Sequence, residues 1–226
     1  MYIKKILLAI VFIGLIVASI FAYYVYKTMM DANTAFKNDT AYVFIATNST
    51  YDNVREQLEP LLKDIKTFDA LAKQKKYDVN VKAGRYAIKK GMNNNDIINS
   101  IRSINLPIRL SFNNQETLEK LAGRVASQIE ADSISVLKAM KDSAYLAEND
   151  FTNETALGMY LPNSYEFFWN TSAIQFRDRM LKEYNRFWTD ARKEKAKAIG
   201  LSRDKVIALA SIVYEESKQA SEQPSN

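Results

Sequence analysis

Apolar residues run without a charge from Ile6 to Tyr26, "ILLAIVFIGLIVASIFAYYVY". No later block is as long or as uniform. A helix of this length crosses the hydrocarbon core of a bilayer, and Tyr23, Tyr24 and Tyr26 cluster at its far end, where amphipathic rings favour the interface. The run exceeds the apolar core of a signal peptide, and no clean small-x-small cleavage site precedes Tyr23. It therefore reads as an uncleaved transmembrane anchor. Lys4 and Lys5 on the short leading side predict a cytoplasmic N-terminus, with the residues after Lys27 outside the cytoplasm.

Beyond the anchor the pattern alternates between strand and helix periods. "AYVFIAT" (41–47) predicts a strand, and "STYDNVREQLEPLL" (49–62) a helix entered at Ser49 or Thr50 with Pro60 near its end. A second helix is expected over 67–75 and a strand with a glycine bend over 81–88, "VKAGRYAI". Asn94 or Asn95 is a natural cap for a helix from Asp96 to Arg102. Each half thus supplies a strand, a polar turn and a helix, a small α+β module.

"LPIRLSF" (106–112) predicts another strand, "ETLEKLAGRVASQI" (116–129) a helix, and a further helix starts at Ser133. The stretch 150–172 carries Gly158, Pro162 and six aromatics with almost no helical period, and reads as an ordered loop. "AIQFRDRMLKEYNRFWTDARKEKAKAIG" (173–200) predicts one long amphipathic helix closed by Gly200. Its stripe of Phe176, Met180, Tyr184 and Phe187 belongs to a core. The last helix starts after Ser202 and runs to about Lys218, with Val206, Leu209, Ala210, Ile212 and Val213 on one apolar face. Glu216 lies on the edge of that face and Glu215 on the opposite side. A carboxylate on the apolar side of a helix is desolvated, which favours its protonated form. A carboxylic acid protonated near neutrality is what glycosidic-bond cleavage requires.

Composition narrows the chemistry. The 226 residues include no Cys and no His, which excludes disulfides, thiolate and imidazole metal sites, and His-dependent triads. Any acid–base work must fall to carboxylates, Lys or Tyr. No glycine-rich phosphate loop and no metal-ligand spacing occurs, so no cofactor and no metal are implied. The net charge is +5, but Lys4, Lys5 and Lys27 flank the anchor, and the rest carries 28 basic against 26 acidic residues. Such a balance argues against a nucleic-acid partner.

Three stretches carry a resemblance to the endolytic murein transglycosylases of the MltG (YceG-like) family. "VKAGRYAIKKGMNNNDIINSI" (81–101) is similar to the "KAGxY" and "KGM" block of that family's LysM-like module. "MYLPNSYEFFWNTS" (159–172) is similar to its "GYLFPDTYEF" loop, with Asn163 in place of Asp. "LASIVYEESKQASEQP" (209–224) resembles its catalytic helix, with the catalytic glutamate falling on Glu216, the downstream glutamate on Glu222 and the first glutamate replaced by Tyr214.

The resemblance implies an α+β fold with a transmembrane helix (1–27), a LysM-like module (28–104) and the first part of a mixed helical and strand catalytic domain (105–226). It implies cleavage of the MurNAc–GlcNAc bond of nascent glycan strands with formation of 1,6-anhydro ends, Glu216 being catalytic and Asn163, Tyr165 and Glu222 facing substrate. It implies peptidoglycan strands and the cytoplasmic membrane as partners, with peptidoglycan synthases alongside. The family's groove is completed by an "INRL" helix and a "Q(T/S)DPTxxY" segment that have no counterpart after Glu222, so the chain is expected to be C-terminally truncated relative to it. A second reading follows from that departure: a catalytically incomplete, membrane-tethered module that binds peptidoglycan or a synthase. A third is a tethered α+β scaffold with no role on glycan.

Overall fold

The structure, a computed structural model, describes residues 2–216. The fold is α+β, and the chain divides into two compact units, residues 1–106 and 107–226. The first unit opens with α1 (Tyr2–Met30). Within Ile3–Lys27 its most apolar 18-residue window has a mean hydropathy of 2.8 and no buried residue, and among the described residues this segment alone is long and apolar enough to cross a membrane.

The rest of the first unit follows the order β1 (Thr40–Ile45), α2 (Tyr51–Leu58), α3 (Ile65–Gln74), β2 (Gly84–Lys89), α4 (Asn94–Ser103). β1 and β2 pair antiparallel, from Thr40 opposite Lys89 to Ile45 opposite Gly84. Val43 and Ile45 point inward while Tyr42 and Phe44 face out, the alternation expected of a sheet covered on one side. Against the inner face pack Leu58 of α2, Phe68 of α3, and Ile97, Ile98 and Ile101 of α4. α2 is entered through a capping box between Thr50 and Asn53. It tightens into a 3₁₀ turn over Glu59–Leu61, around Pro60.

The cap of α4 is Asn93, whose side chain accepts from the Asp96 N–H (2.8 Å), not Asn94 or Asn95. Asn94 is instead buried, its amide oxygen accepting from Asn33 (2.6 Å) and its nitrogen donating to Thr67 (3.2 Å). Gly84 has φ +151°, and a Cβ there would lie 2.5 Å from the Asn105 side chain. That side chain accepts from the Arg85 N–H (3.0 Å) and closes the free edge of β2.

The second unit holds β3 (Pro107–Phe112), α5 (Leu118–Ala126), α6 (Ser133–Met140), α7 (Ser143–Glu148), β4 (Asn163–Phe168), α8 (Ala173–Phe187), α9 (Asp190–Ala198) and α10 (Arg203–Glu216). Part of the expected loop at 150–172 is thus a strand. β4 pairs antiparallel with β3, from Pro107 opposite Phe168 to Phe112 opposite Asn163, preceded by a 3₁₀ turn over Ala156–Met159. Tyr165 and Phe167 face inward and Glu166 and Phe168 outward. The run of adjacent aromatics hides this period of two in the sequence.

The expected single helix over 173–200 is two helices. Trp188 turns into the core, and Thr189 caps α9 by accepting from the Arg192 N–H. Gly200, at φ +72°, does end the segment, where a left-handed residue costs least for glycine. The core joins Leu110, Leu121, Val125 and Met140 to Phe167, Phe176 and Met180. Buried Arg177 of α8 bonds Asp178 (2.9 Å) and Asp142 (3.2 Å), the cap of α7, and lies 3.4 Å from the Tyr145 ring centroid. Buried charges of this kind are kept by pairing.

Candidate functional site

An open cavity of about 930 Å³ lies in the second unit. Four segments wall it: the turn after β3 (Phe112 to Gln115), the stretch from Glu154 to Tyr165, the end of α8 (Glu183, Tyr184, Phe187) with Arg192, and α10. From α10 come Asp204, Lys205, Ile207, Ala208, Ala210, Ser211 and Tyr214, of which Asp204, Ile207, Ser211 and Tyr214 step three or four residues apart along one side of the helix.

Local interactions hold the walls. Tyr165 is buried, stacks on Phe112 with centroids 5.8 Å apart, and donates its hydroxyl to the Leu161 carbonyl (2.6 Å). Burial pushes that hydroxyl up to about 12, with the Glu183 charge adding to the effect. The phenol is therefore a protonated structural donor near neutrality, not an acid–base group. Asn163 is exposed at the start of β4, its side-chain oxygen accepting from the Ser164 N–H (2.7 Å). Across the turn, Gln115 donates to Asn113 (2.8 Å). The Arg192 guanidinium lies 4.2 Å from the Phe187 ring centroid and donates to the Phe187 carbonyl (2.6 Å). Glu183, mostly covered, pairs with Arg179 (2.8 Å).

α10 is fixed at its first half. Gly158 has no side chain, and Ile207 fills the space, its Cγ2 within 3.4 Å of where a Cβ would stand. Val206 and Ile207 pack on the core, whereas Leu209, Ile212 and Val213 are 50%, 59% and 57% exposed. The apolar face expected to be buried is thus mostly open among the described residues. The helix is pinned by the side carrying Ile207, and the face with Leu209, Ile212 and Val213 is the more exposed one.

The sequence-derived site residues are divided accordingly. Asn163 and Tyr165 line the cavity. Glu216 is exposed at the last described position of α10 and is not among the lining residues, so the desolvation expected from its helical position is not met. Glu222 lies outside the described residues. Sequence reasoning missed Ser211 and Tyr214. No spacing in the sequence marks them, because only the packing of Ile207 at Gly158 shows which side of α10 turns to the cavity.

The site is thus a groove where two of the resembling stretches, 159–172 and 209–216, meet on one cavity. The chain matches the YceG-like family over residues 43–225, which is most of its length. It belongs to the YceG-like family. The match begins inside β1 and runs through both units. No curated protein matches the chain. Among solved structures, this YceG-like chain is similar to a yceG-like protein of Listeria monocytogenes, with 23% identity and a TM-score of 0.49. The similarity covers 81% of this chain and 66% of that one, just under two thirds of the relative's length.

Proposed function

We propose that this YceG-like protein is a membrane-anchored endolytic lytic transglycosylase that cleaves the MurNAc–GlcNAc bond of nascent glycan strands. One observation carries the reading: the two stretches that resemble the family's substrate loop and catalytic helix line a single groove. Its walls combine aromatic faces with amide, hydroxyl and charged groups, the mixture that holds a long polar ligand by a few placed contacts.

In this reading Glu216 delivers its proton to the glycosidic oxygen as the C1–O bond breaks. The resulting carboxylate takes the proton of the sugar's own 6-hydroxyl, and that oxygen closes onto C1 as the anhydro ring. The nucleophile belongs to the substrate, so one carboxyl serves both steps and no second group need activate water. Asn163 and Glu222 contact the strand, and Tyr165 holds the wall that Asn163 stands on. The order β1–α2–α3–β2 supports a LysM-like role for the first unit. In this reading α1 is the anchor, both units lie on the extracytoplasmic side of the cytoplasmic membrane, and peptidoglycan synthases supply the strands.

A second reading, a tethered module that binds glycan without cutting it, is favoured by the exposure of Glu216. Incubating the full chain in detergent micelles with uncrosslinked glycan strands separates the two. The enzyme reading predicts anhydro-ended products by mass spectrometry, reduced about 10²- to 10⁴-fold in Glu216→Gln. Strand binding without any such product, in both proteins, would sink it.

A further inference from the structure

The join between α1 and the first module has no slack. α1 continues to Met30, and the Asp31 N–H still bonds the Lys27 carbonyl (2.9 Å). Ala32 then bridges Asn93, and Thr34 bridges Leu62. Between them, buried Asn33 is bonded on every side. Its N–H donates to the Met92 carbonyl (2.9 Å), and its carbonyl accepts from the Lys63 N–H (2.8 Å). Its side chain donates to the Asp64 carbonyl (2.8 Å) and to Asn94, and accepts from the Asp64 N–H (2.9 Å). Thr34 accepts from the Gly91 N–H (2.8 Å), and Met29 and Phe36 pack on the module's core. The helix is a strut built into the module.

This fixes a height. Ile3–Lys27 is 25 residues, about 37 Å as a helix against a hydrocarbon core of about 30 Å, so Lys27 reaches the headgroup layer. Ala32 follows five residues later, about 7 Å further along the axis. The segments bonded to residues 32–34 therefore lie about one Debye length from the headgroups at physiological ionic strength.

Those segments are basic. Residues 27–39, 61–66 and 89–93 hold Lys27, Lys37, Lys63, Lys66, Lys89 and Lys90 against Asp31, Asp39 and Asp64. All six lysines belong to exposed residues. Asp31 faces Lys27 at 4.0 Å, and Asp64 is spent on capping α3. Outside these segments, the chain after Lys27 carries 23 basic and 23 acidic residues. The surplus charge of the globular part is thus concentrated at the helix exit.

We infer that this lysine collar is a docking surface for anionic phospholipid headgroups, holding the first module against the membrane into which α1 is inserted. The inference rests on the anchor reading and is independent of any enzymatic activity. Because the chain has no native Cys, single labels report single places.

The full chain carrying a fluorophore on Asn38→Cys is reconstituted in vesicles of phosphatidylcholine, alone or with phosphatidylglycerol, and quenched by headgroup-attached nitroxide. Stronger quenching with phosphatidylglycerol is expected, lost at about 1 M salt, where the Debye length is about 3 Å. Lys66→Gln and Lys90→Gln should each lower the docked-to-undocked ratio about fivefold, with the circular dichroism of the chain unchanged. A second label on Gly14→Cys, quenched from the acyl chains, reports insertion. Equal quenching of the Asn38→Cys label in both vesicle types, with the Gly14→Cys label buried in each, would overturn the collar while sparing the anchor. A Gly14→Cys label that is not lipid-buried would remove the anchor, and the collar with it.

Discussion

Among the described residues, the last helices of the two units, α4 and α10, have opposite fates, although α10 is the longer and the more apolar of the two. In α4, Ile97, Ile98 and Ile101 are fully buried between the sheet and the helices of the first unit. In α10, Leu209, Ile212, Val213 and Tyr214 are each about half exposed, and the helix is held mainly through Val206 and Ile207. The difference is one of partners, not of propensity. α4 has a cap, a filled groove and a polar anchor through Asn94, whereas α10 docks through Val206, through Ile207 in the notch at Gly158 and through Arg203 over the Tyr184 ring. A closed core suits a module that is a fixed platform. A helix pinned at one end and open along a face suits one wall of a groove.

Paired core truncations break this contrast most sharply. Ile98→Ala should cost about 2–5 kcal/mol of stability, as buried isoleucines do, and Ile212→Ala less than about 0.5 kcal/mol. Chemical denaturation of the full chain checks both. Equal losses would mean that the outer face of α10 is covered.

Gly84→Ala comes next. It pairs a positive φ with a clash against Asn105 and should cost roughly 2–3 kcal/mol, whereas Gly91→Ala meets no neighbouring atom and should cost less.

Smaller still is Tyr165→Phe, which leaves the ring stack intact and removes one hydrogen bond to the Leu161 carbonyl. A loss of about 1 kcal/mol is expected, with strand binding unchanged. Weakened binding at unchanged stability would make the hydroxyl a ligand group instead.

The smallest effect is electrostatic. The bond from Lys141, with help from a backbone N–H and Thr117, lowers Glu119 from 4.5 to about 2. A folded value below the unfolded one means that the stabilisation is present above about 4.5 and is lost as pH falls toward 2. The difference in melting temperature between the wild type and Glu119→Gln should shrink over that window. Because the pair is exposed, it should be small at every pH.

Much of this was legible in the residues. Thr50 marked the start of α2, and the apolar pattern marked β1, β2, β3 and the presence of α3 and α4, although the caps of those two helices, Asp64 and Asn93, were not read. β4 was not legible, because Phe167, Phe168 and Trp169 stand in a row and mask which of them faces in. The break after α8 was, in principle: Thr189-Asp190 is a cap followed by an acid, a start signal lying inside an otherwise continuous helical pattern. The cavity-facing side of α10 was missed for a different reason. Periodicity shows that a helix has an apolar face, but only the packing at Gly158 shows which side docks. Ser211 and Tyr214 follow from that contact, and no count of apolar positions would have found them.

The central claim is that glycan strands are taken up in the groove walled by α10. Hydrogen exchange of the full chain in micelles, with and without uncrosslinked glycan strands, tests it most directly. The account predicts added protection in α10 and in residues 159–168, with α4 unchanged. Protection confined to the first unit, with none in α10, would contradict it and leave a tethered glycan-binding module in its place.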